Sequence, residues 1–232
     1  MPRARTAQRH FRLDALKILL VLVSPWLIDR TPSEATAGEI AWIRVISYEE
    51  STGELRRLYD LVKGASGNVD NVVKVHGLRP HTLEGHYALY RAVLHDPENE
   101  MPAWFLESLG VYTSLLNGCK YSAAHHSAGL RTALKDDARF ETIHRALSND
   151  RPEDAFSDKE LALLRYARKL TLTPRTIDKT DVEAVKGAGG SDGEILEANQ
   201  VVSYFNYVNR VLNGLGVTTE GDVLGTSPRT KK

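Results

Sequence analysis

The 232-residue chain has one cysteine, Cys119. An internal disulfide is therefore excluded, and with it a disulfide-stapled fold. A lone thiol fits a reducing compartment, and the cytoplasm is the expected location. Net charge is lacking too, because 30 Lys and Arg residues offset 30 Asp and Glu. Without a basic field the chain has no electrostatic footprint for nucleic acid or an anionic membrane, and neither is expected as a partner. Basic clusters exist only at the ends, Arg3 to Arg12 and Arg229 to Lys232. The apolar run Ile18 to Val23 is too short to span a bilayer. What remains is an ordinary globular balance, 42% apolar and 26% charged, enough for one generous domain.

Residues 1–39 stand apart. Arg3, Arg5, Arg9, Arg12 and Lys17 precede the apolar run, and Ala35-Thr36-Ala37 resembles a small-residue cleavage site. That is the outline of an export signal, although Asp14, Asp29, Arg30 and Glu34 charge it unusually for one. The reading adopted is an N-terminal extension, disordered or a mis-assigned start, with export as the alternative. It precedes a helical domain over 40–222 and a flexible tail over 223–232.

From Ile40 the pattern is helical, and the expected fold class is an all-α bundle. Ala41 to Ser47 is the only β-like run and reads as a lead-in. Glu49 to Val62 spaces Leu55, Leu58, Tyr59 and Val62 for a helix ending near Lys63. Pro80 opens a helix that breaks at Asp96-Pro97, and Pro102 opens the next, which carries Glu107. Asn117-Gly118 interrupts it, and a further helix starting at Asn117 or Gly118 would hold Cys119 in its first turn. Three capping boxes are expected, Ser157 with Glu160, Thr180 with Glu183 and Ser191 with Glu194.

The candidate site lies between Glu107 and His126. On a helix, positions 119, 122 and 126 share one face, whereas His125 points elsewhere. Free N–H groups at the helix start favour a thiolate at Cys119, and His126 can bond Ser122 or relay a proton. A hairpin would bring Glu107 back beside Cys119 as base or orienting carboxylate. Against this stands the plainer reading of Cys119 as a small core residue and Ser122 as a helix serine bonding its own backbone. No metal site is expected: His125 and His126 diverge by about 100°, and His76, His81, His86 and His95 form no ligand-like repeat. Nor is a cofactor, since Gly187 to Gly190 reads as a helix stop. Tyr121 reads as a packed aromatic and Tyr204, Phe205, Tyr207 and Val208 as core or subunit interface. Arg210 reads as half of a buried bidentate pair with a carboxylate.

At these residues the chain resembles the alkylhydroperoxidase D / carboxymuconolactone decarboxylase superfamily, in its peroxidase-related branch. The pattern is Glu, eleven residues, Cys-x-x-Cys, three residues, His; Glu107, Cys119 and His126 match it and Ser122 replaces the second cysteine. Trp42 to Glu50, Ser114 to Tyr121, and Phe205 to Arg210 with Gly214 to Val217 resemble further blocks, so the likeness spans about residues 41–222. It implies a helical homo-oligomer, a dimer, trimer or hexamer, and a peroxide-reducing dithiol whose cysteine nearer the histidine attacks. That position is Ser122, which cannot form a sulfenic acid; Cys119 takes the resolving position. Glu107, Cys119, Ser122 and His126 are therefore the expected catalytic residues, under three readings. The first is a one-cysteine peroxidase acting on a hydroperoxide, with an external thiol reductant. The second is a proton-transfer enzyme using Glu107 and His126 on a small organic acid. The third is a non-catalytic oligomeric binding module.

Overall fold

The computed structural model describes residues 39–63 and 67–225. The signal-like segment and residues 226–232 of the tail lie outside it. Among the described residues the chain is all-α as expected, without strands. Its helices are α1 (Gly53–Val62), α2 (Asn71–Lys74), α3 (Pro80–His95), α4 (Ala103–Leu116), α5 (Lys120–Leu134), α6 (Asp137–Ser148), α7 (Asp158–Leu172), α8 (Lys179–Gly187) and α9 (Asp192–Leu215). The lead-in forms no sheet. Instead Trp42 N–H donates to Leu215 O (2.8 Å) and Thr218 N–H to Ile40 O (2.9 Å), tying it to the end of α9.

Helix boundaries follow local chemistry. Pro80 takes the first position of α3, where its missing N–H is no loss. Ser191 and Glu194 form the expected box on α9, with both bonds within 3.0 Å. The other two boxes do not form. Ser157 donates to Asp158 Oδ2 (2.9 Å). Asp178 caps α8 ahead of Thr180, with Asp181 completing the box, because a carboxylate is a stronger acceptor than a hydroxyl. α4 begins one residue after Pro102, which serves as its N-cap.

α4 is the central helix. It is apolar on every side, the pattern of a helix without a solvent face, and every residue from Phe105 to Ser114 is buried. It packs chiefly against α5, α9 and α7. Gly110 permits the approach of α9, since a methyl group there would overlap the Phe205 ring. Tyr204, Phe205 and Val208 are core, whereas Tyr207 is 44% exposed. Among the described residues Arg210 pairs with no carboxylate: its Nη1 donates to Asn206 O (2.6 Å) and Oδ1 (2.8 Å), one turn back on its own helix. Among the described residues no helix is long and apolar enough to cross a membrane.

Candidate active site

Glu107 and His126 meet across the α4–α5 hairpin. His126 Nδ1 lies 2.8 Å from Glu107 Oε2, and both side chains are largely buried. A carboxylate oxygen only accepts, so in the neutral ring Nδ1 carries the hydrogen and Nε2 keeps its lone pair. The hairpin brings Glu107 beside His126 and not beside Cys119. The reason is register: with the turn at 117–119, Glu107 lies eleven residues before Gly118 and His126 eight after it. At about 1.5 Å of rise per residue these positions stand within about 5 Å of each other along the hairpin, a gap two side chains can span, while Cys119 stays at the turn.

Two glycines hold this dyad. Gly129, one turn beyond His126, makes room for the carboxylate: a Cβ there would lie 3.0 Å from Glu107 Oε1 and 3.1 Å from Cδ. On the other flank, Phe205 meets the His126 ring edge-on, with centroids 4.6 Å apart at 85°. Phe205 is itself seated over Gly110. The imidazole is thus fixed by a hydrogen bond on one side and an aromatic ring on another.

Cys119 is the N-cap of α5 and not a first-turn residue, with an extended backbone (φ −87°, ψ 92°). Gly118, at φ +63°, turns the chain in the left-handed region that suits glycine, and Cys119 N–H bonds back to Ser114 O (2.9 Å). The thiol is 1% exposed and belongs to the main apolar core. Ser122, in the first turn of α5, is 3% exposed. Beside it lies a cavity of about 70 Å³, whose wall includes Ser122 and His126 but neither Cys119 nor Glu107.

Around the cavity gather polar residues that spacing alone does not join. Asp222, from the segment after α9, accepts from Asn71 N–H (3.1 Å to each oxygen) and from Tyr121 Oη–H (2.6 Å). Its Oδ2 lies 3.3 Å from His125 Nε2, close enough to pair electrostatically but without hydrogen-bond geometry. His125 and His126 thus diverge as helix geometry requires, each toward its own carboxylate. Tyr121 is a packed aromatic, stacked on His125 at 4.6 Å, and burial with Asp222 drives its phenol well above the usual range. Asp70, which lines the cavity itself, is pushed up to about 6 by burial, with the Asp222 charge adding to this and His125 opposing it. Burial and the stacked His76 bring His86 down to about 3. Among the described residues no cluster of three or more His, Cys, Asp or Glu is arranged to hold a metal ion.

Of the four expected residues, the structure unites Glu107 with His126, sets Ser122 on the same cavity as His126, and leaves Cys119 in the core. Asp70, Asp222 and Gly129 escaped the sequence reading. Gly129 carried a visible signal, a glycine inside a helical pattern one turn from a candidate histidine. Asp222 carried none, because its partner Asn71 is 151 residues away.

Solved structures share this architecture. An uncharacterised peroxidase-related protein from Ralstonia eutropha, described as an alkylhydroperoxidase AhpD core, is 21% identical with a TM-score of 0.71, covering 83% of this chain and 100% of its own. A peroxidase-related protein from Silicibacter is 22% identical with a TM-score of 0.65, covering 83% and 95%. The debrominase Bmp8 in its apo form is 15% identical with a TM-score of 0.62, covering 79% and 93%. No family model and no curated protein matches the sequence. The chain has the alkylhydroperoxidase D fold, as the resemblance in its motifs implied.

Proposed function

We propose that the chain is an enzyme that transfers a proton on a small substrate, with Glu107–His126 as its base. The observation that carries this reading is the 2.8 Å contact between His126 Nδ1 and Glu107 Oε2, beside a cavity that Ser122 lines and Cys119 does not. Nε2 of His126 takes the proton, Glu107 stabilises the imidazolium that forms, and the Ser122 hydroxyl bonds a substrate oxygen or nitrogen. The debrominase among the fold's members supports chemistry other than peroxide reduction on this scaffold.

The test is hydrogen exchange. Small ketones, lactones, amines and carboxylic acids are incubated with the protein in D2O, and deuterium incorporation is followed by NMR. Exchange that is lost in His126→Gln and Glu107→Gln but kept in Cys119→Ser is expected. Exchange that survives His126→Gln sinks the reading.

A second reading, a one-cysteine peroxidase reduced by an external thiol, draws support from Cys119 at a helix N-terminus and from the peroxidase-related fold neighbours. Its burial weighs against it. Rapid sulfenic acid formation at Cys119 under limited peroxide, seen by intact mass, would move the assignment to this reading. For assembly we propose a homo-oligomer, supported by the exposed Leu61, Leu89, Leu196 and Tyr207. Sedimentation of a monomer would refute it.

A further inference from the structure

The cavity wall carries a combination of charge and unpartnered groups that selects among substrates. Asp70 is a carboxylate on this wall, and its Oδ1 is buried without a hydrogen-bond partner among the described residues. His86, on α3, is 6% exposed, and its buried Nδ1 also lacks a partner. Among the described residues, neither Lys nor Arg lines the cavity. Two further carboxylates stand behind the histidines, Glu107 at His126 and Asp222 at His125. Tyr87, Tyr90 and Tyr204 complete the wall, with successive ring centroids 6.3 and 6.0 Å apart.

We propose that the cavity receives a small protonated amine, its ammonium group held by Asp70 and His86 against the tyrosine rings. The inference rests on this cavity being the active site, as argued above, and it replaces the small organic acid with a cation as the substrate class. An organic anion entering here would meet the Asp70 carboxylate on the wall, with Glu107 and Asp222 behind the histidines, and no Lys or Arg among the described lining residues. An ammonium group supplies N–H donors to Asp70 Oδ1 and to a neutral imidazole nitrogen, and its charge is favoured over aromatic faces. Burial, with the neighbouring His76, keeps the His86 ring neutral and able to accept. The volume suits a ligand of roughly four to six non-hydrogen atoms, since one water occupies about 30 Å³ of liquid and a cavity holds one within about 15 Å³ of accessible space.

Asp70 faces His125 on α5, Asp222 on the C-terminal segment and Lys74 on α2. Amine binding is therefore expected to weaken on acidification, as the Asp70 carboxylate gains its proton.

The experiment is an NMR titration of the full chain, labelled at its histidine rings, with ethylammonium chloride, sodium propionate and 1-propanol. At about pH 7.5 the wild type is expected to bind ethylammonium saturably, shifting His86. Propionate and propanol should bind about tenfold more weakly or worse, a difference well within that of one desolvated charge. Asp70→Asn should lose the amine preference, and lowering wild type to about pH 5 should reproduce that loss. Equal binding of propanol and ethylammonium, preferential binding of propionate, or an undiminished amine preference in Asp70→Asn would overturn the proposal. His126→Gln separates the two ideas. Amine binding retained there without hydrogen exchange in the wild type keeps the amine site and removes the base, whereas exchange without amine binding does the reverse.

Discussion

Single side chains decide the chemistry of this molecule. Position 122 carries a hydroxyl, which cannot form a sulfenic acid, beside the Glu107–His126 pair. Ser122→Cys is expected to let Cys119 and the new thiol form an internal disulfide under limited peroxide, seen as a loss of two hydrogens by intact mass; an unchanged mass would show that the core position of Cys119 keeps the pair apart. Gly129→Ala places a methyl group against the Glu107 carboxylate and should loosen its bond to His126, lowering hydrogen exchange by about tenfold, the factor for about 1.4 kcal/mol, with little change in melting temperature. Asp70 gives a sign that can be checked. Its folded pKa, about 6, lies above the unfolded value of about 3.9, so its contribution to stability is full below about pH 3.9 and is lost as pH rises through 6. Asp70→Asn should therefore raise stability near neutral pH by about 1–2 kcal/mol, after discounting for partial solvent contact, and leave it unchanged near pH 3 by urea denaturation.

At the scale of elements, much was legible. Pro80, the Ser191–Glu194 box and the glycine turn at 118 set helix boundaries by local rules, and local rules can be read from adjacent residues. The failures are equally local. Thr180 lost its capping position to Asp178, and Cys119 left the helix because its N–H reaches back to Ser114 O. The pairing of α4 with α5 was foreseeable from the short turn, but its register was not, and register decided that Glu107 serves His126 and not Cys119. The contact of α4 with α9 through Gly110 was not visible at all, because it depends on Phe205, ninety-five positions away. Gly110→Ala is expected to cost about 1–3 kcal/mol through overpacking, read as a fall in the urea midpoint. A melting temperature and midpoint equal to wild type would mean that the ring can move aside.

At the scale of the whole molecule, burial of histidine governs the response to acid. His76, His86 and His95 are all held below the ordinary imidazole range, chiefly by burial. For such groups the stabilising contribution is present above the unfolded pKa of about 6.5 and is lost as pH falls, for His86 down to about 3. Asp70 runs the other way, but the larger displacement of His86 sets the sign, and stability should decline as pH falls from about 6.5. His86→Gln should flatten that decline; an equally steep one would place the acid sensitivity elsewhere. The all-α class was readable from periodicity because helices announce their apolar face locally. The cavity was not, since its walls come from α3, α5, α9 and the turn at Asp70, which meet only in the folded chain.

The seating of Phe205 over Gly110 and against His126 has a practical bearing on engineering. In most proteins a core can be redesigned for heat resistance while the active site is left alone. Here the ring that fills the core is the ring that packs against the imidazole proposed as the base. A thermostabilising programme that enlarges residue 110 or reshapes residue 205 would therefore also move His126 without intending to, and the two positions belong on the list held fixed.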